Sequence, residues 1–71
     1  MTKTEAAEII VNHAMVVARR YGWTGRMDAT RIGVVLSEMT YQTEPGSRLW
    51  QAAQVRPTDD YIRRTARRVH A

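Results

Sequence analysis

The chain has 71 residues, no cysteine, and 11 Lys and Arg against 7 Asp and Glu, giving a formal charge of +4. That bounds it to one small domain, with no room for a nucleotide-binding sheet, a barrel or a two-lobed active site. Lacking cysteine, it has neither a disulfide framework nor a thiolate metal cage to staple a small core, so burial is expected to come from pairing with a second copy.

Gly22, Gly25, Pro45-Gly46 and Pro57 divide the chain into four segments. Each shows helical spacing, and strict apolar–polar alternation over a strand length is missing. The fold class read from this is all-α. It is a compact bundle of three longer helices and one short helix, arranged as an intertwined homodimer.

The first helix is predicted over residues 3–21. Thr2 and Glu5 stand at capping-box spacing, and Gly22 stands where a left-handed C-terminal cap belongs. Glu5, Glu8, Asn12 and Arg19 gather on one narrow face, leaving an apolar arc of roughly 200°, about twice what one-sided packing needs. Such a helix is either central to its own domain or shared with a partner subunit. The second option places Ile9, Ile10, His13, Val16 and Val17 at a dimer interface.

The second helix is predicted over 29–40, capped by Asp28, with Ile32, Val35, Leu36 and Met39 as its inward stripe. Gly33 costs a helix about 1 kcal/mol, which points to a close backbone approach there. Val34, Ser37, Glu38 and Tyr41 occupy the opposite side. The short third helix covers 48–55, capped by Ser47, with Leu49, Ala52 and Ala53 inward and Trp50 and Gln54 turned toward solvent.

Thr58 caps the fourth helix, over 59–69. Asp59 and Asp60 lie in its first turn, where they suit the helix dipole and pair with Arg63 and Arg64 at i, i+4. Ile62, Ala66 and Val69 supply its inward face.

Catalytic chemistry has little to work with. His13 sits in the apolar arc and is read as a histidine hydrogen-bonded in a core or interface; His70 stands next to the last residue. No ligand spacing marks a metal site, and no glycine cluster marks a phosphate loop. No cofactor is expected. The stretch from Ile9 to Ala18 is too short and too polar to span a bilayer, and no targeting segment is apparent, so a cytoplasmic protein is expected.

Two surface features remain. Arg63, Arg64, Arg67 and Arg68 form a basic face able to track phosphates, and a short helix after a turn admits a helix-turn-helix reading, so nucleic-acid binding is the second choice. The first choice is aromatic. Tyr41 and Trp50 sit off the inward stripes with Val34, Arg48 and Gln54 nearby in sequence, and Trp, Tyr and Arg dominate protein-interface energetics. Trp23 is expected to lid the core, with Tyr21 and Tyr61 also inside.

The runs VVLSEMT from Val34, GSRLWQAAQVRPT from Gly46 and YIRRTARRV from Tyr61 prompt a comparison. With the length, they make the chain similar to the small quorum-sensing anti-activator proteins encoded by Mu-like phages of Pseudomonas. The resemblance implies a dimeric helical inhibitor, working inside the host bacterium without catalysis. It would occupy host proteins, namely a LuxR-type transcription activator and the type IV pilus assembly ATPase. By type of residue, the partner-binding tyrosine and tryptophan would be Tyr41 and Trp50.

Overall fold

The computed structural model describes residues 1–69, so His70 lies outside the described residues. Four helices follow in order: α1 (Lys3–Tyr21), α2 (Ala29–Tyr41), α3 (Arg48–Val55) and α4 (Asp59–Val69). There is no strand among the described residues. The fold is all-α.

Each helix begins where a side-chain oxygen can accept one of the amides that a helix start leaves unpaired. Thr2 Oγ1 accepts from the Glu5 amide at 3.1 Å and Asp28 Oδ1 from the Arg31 amide at 2.8 Å. Ser47 Oγ accepts from the Trp50 amide, and Thr58 Oγ1 from the Tyr61 amide, both at 3.2 Å. The end of α1 is equally local in origin. Gly22 takes φ 69°, and both its own amide and that of Trp23 donate to the Ala18 carbonyl. A side chain at that φ would be strained, which is why glycine closes the helix.

α1 is the centre of the molecule. α2, α3 and α4 all pack on it, and α3 also packs on α2. Ala6, Ala7, Ile10, Val11, Ala14 and Val17 of α1 are buried. Above them close Ile32, Val35 and Met39 from α2, Ala52 and Ala53 from α3, and Ile62 from α4. The buried alanines let helix backbones come close, an economical way to cover a wide apolar arc with short helices.

The arc is therefore covered by the chain's own helices. Ile10 and Val17, expected at a dimer interface, are instead core residues of the single chain, at 1% and 0% exposure. Of that set only Val16 is exposed, with Ile9 and His13 half-buried. Val69, expected inward, is exposed at the last position of α4.

Gly33 also departs from expectation. It is exposed, and a Cβ added there would meet nothing within 4 Å. No backbone approaches it, so its flexibility is a net cost to α2. Gly33→Ala should raise the free energy of unfolding by about 0.5–1 kcal/mol, read as a higher urea midpoint at unchanged m-value.

Candidate binding surface

α2 carries two charged residues, Arg31 and Glu38, and both are half-buried and committed to contacts with neighbouring elements. The Glu38 carboxylate receives Arg20 on one oxygen and His13 on the other, with Nε2–H of His13 donating to Oε2 at 2.7 Å. Burial alone would push this carboxyl up. The hydrogen bonds from Arg20 and His13, with their charges, outweigh that and hold it below the ordinary glutamate value. Arg20 is in turn pushed up by the same hydrogen bond.

Arg31 works at the other end of α2. Its Nη1 donates to the Thr24 carbonyl at 2.6 Å and to the Arg26 carbonyl at 3.2 Å, tying down the loop between α1 and α2. Its guanidinium also lies 5.3 Å from the Trp23 ring centroid, and Trp23 stacks on Tyr21 at 5.6 Å. Trp23 packs on the core as expected for a lid. Tyr21 does not enter the core. It is 58% exposed, the outer layer of the stack.

With Arg31 and Glu38 drawn aside, every exposed residue of α2 is uncharged: Ala29, Thr30, Gly33, Val34, Ser37 and Tyr41. Tyr41 closes this face at 81% exposure, the most exposed of the large hydrophobic residues. Charge depletion around an accessible tyrosine is the composition of an interface centre rather than of an ordinary solvated surface. Val34, 39% exposed, lies two turns before it on the same side.

α3, packed beside α2, presents Arg48 and Gln54 to solvent, whereas Trp50 is half-buried. Trp50 stands outside the hydrophobic cluster that takes in its neighbour Leu49. Among the described contacts no hydrogen bond, ring stack or cation–π pair joins Trp50 or Arg48 to Tyr41. Tyr41 is thus the free anchor, and Trp50 is a partly covered flank. Sequence reading found Val34 and Tyr41 but missed Ala29, Thr30 and Gly33. Their lack of charge at i, i+1 and i+4 was the available signal.

The basic face of α4 is partly occupied. Arg63 donates to Asp60 at 2.8 Å, an i, i+3 pair in place of the expected i, i+4 pairs, and holds the Asp60 carboxyl below its usual range. Arg68 reaches Glu8 of α1 at 3.1 Å. Arg64 and Arg67 are exposed. Tyr61, expected in the core, is half-buried at the α1–α4 edge. Its hydroxyl meets Thr4 Oγ1 at 2.8 Å, with the Lys3 ammonium over its ring.

Because folding lowers the Glu38 pKa, its stabilising contribution is complete above the unfolded value, near pH 4.5. It is lost as pH falls through the lower folded value. Glu38→Gln should therefore cost about 1–3 kcal/mol at pH 7 and weaken the loss of stability below pH 5. Urea unfolding across pH 3–7 measures both.

In comparisons with protein-family models, curated protein sequences and solved structures, the chain matches none.

Proposed function

We propose that this chain is a non-catalytic binding protein that acts by occupying other proteins. Its target would be of the kind the phage anti-activator resemblance implies: a LuxR-type activator and the type IV pilus assembly ATPase of a host bacterium. The observation that carries the reading is the charge-free outer face of α2, ending on Tyr41. A surface of that composition loses little by desolvation and gains from each apolar contact. Arg48 and Gln54 on α3 would supply the polar rim, with Trp50 contributing its accessible edge.

Self-association belongs to the same proposal, in reduced form. With Ile10 and Val17 inside the single chain, the pairing surface on α1 narrows to Val16, 49% exposed, flanked by Ile9 and His13. No helix among the described residues is long and apolar enough to cross a membrane.

Nucleic-acid binding is the second reading, favoured by one observation. Arg26 from the α1–α2 loop joins Arg63 and Arg67 of α4 around a single recess. The helix-turn-helix form of that reading fits poorly. Residues 42–47 separate α2 from α3, longer than the usual turn of about three or four residues.

The decisive measurement is titration calorimetry against the purified ligand-binding domain of a LuxR-type activator and against a type IV pilus ATPase. Tyr41→Ala should weaken binding at least about 30-fold, as a hot spot does, while helical circular dichroism stays unchanged. Absence of binding to both targets, together with steeply salt-dependent binding to duplex DNA, would replace this reading with the second one.

A further inference from the structure

α2 and α4 both lean on α1 yet barely touch each other. Between them opens a cavity of about 210 Å³ whose lining is almost wholly apolar. Ile10 and Ala14 of α1 form its floor, Val35 and Ile62 its walls. At the mouth stand Met15, which is exposed, and the half-buried Met27 and Ala66. A recess of about 730 Å³ continues from this mouth, sharing Met27 and Ala66 and adding Arg26, Arg63 and Arg67. The cleft thus has an apolar bed and a basic bank.

The one acid on that bank, Asp28, is committed to capping α2 through the Arg31 amide. Arg63 is held by Asp60, whereas Arg26 and Arg67 take part in no salt bridge among the described residues. The positive charge is therefore carried by groups free to meet an outside anion.

We propose that this cleft receives an amphipathic helix of a partner protein. Its apolar face would lie over Met15, Met27 and Ala66, and its flanking carboxylates would meet Arg26 and Arg67. This surface is separate from Tyr41 and Val34 and does not depend on them. Charge selects the occupant. A second copy docking through the same cleft in a two-fold pair would set this basic bank against itself.

An open trough suits side-chain anchors spaced i, i+3, i+4 and i+7. α4, with 11 residues, runs about 16 Å at the helical rise, room for roughly three turns of a docked helix. Methionines at the mouth can repack around anchors of different shape.

The test uses a fluorescent 14-residue helical peptide with leucines at those spacings and glutamates on both flanks, read by anisotropy against the full chain. Saturable binding is expected, at least about tenfold tighter than that of the same peptide with lysine flanks. Ala66→Leu, which fills the cleft, should weaken binding at least about tenfold while the urea midpoint holds or rises. Should that variant fail to fold, Met15→Glu at the exposed mouth takes its place.

Arg67→Glu should weaken binding and flatten its salt dependence, whereas Tyr41→Ala should leave it unchanged. Failure of the activator or ATPase titration thus leaves this result standing on its own. Absence of saturable binding, equal binding of the two peptides, or no effect of the cleft variants would overturn the proposal. So would displacement of the peptide by decanoate or by a duplex DNA at comparable affinity.

Discussion

The structure depends on how one long helix is covered. α1 has 19 residues, and its apolar side chains occupy too much of its circumference for a single neighbour to bury. In water each exposed apolar group on that arc costs free energy in proportion to its area. Three shorter helices answer this by packing on α1 from different sides. None of the three is long enough to form a stable helix alone, so their helicity and the burial of α1 rise together.

This division of labour leaves marks on the surface. Alanines at the closest approaches fill the space beneath α3, but α2 and α4 barely touch, and the gap between them becomes an apolar cleft. The same arrangement directs charge. Glu38 is drawn toward Arg20 and His13, and Arg31 toward the loop and Trp23. The outer side of α2 is thereby left neutral, while α4 keeps arginines outward. Two surfaces of opposite character lie on helices that flank the same central one.

Local sequence signals read well wherever the chemistry was local. All four N-terminal caps hold as bonds of one side chain to an amide three residues on, and Gly22 closes α1 for a reason confined to its own φ. The inward stripes of α2 and α3 follow from spacing, as do Ile62 and Ala66 of α4. Periodicity did not tell which apolar residues of α1 face a neighbouring helix and which face outward. Ile10 and Val17 share the arc with Val16, yet only Val16 is exposed. Gly33 misled for a related reason, since a glycine in a helix marks either a close neighbour or nothing.

What the sequence alone determined is the set of helices, their caps and the uneven placement of charge, because each depends on residues within a turn or two. Tertiary structure decided which side of α1 closes and that Glu38 gathers Arg20 and His13. It also decided that Tyr41 stands free while Trp50 is half covered. These outcomes join residues far apart in the chain, such as His13 and Glu38 or Glu8 and Arg68. They are set by the packing angles of whole helices, which no local pattern of side chains encodes.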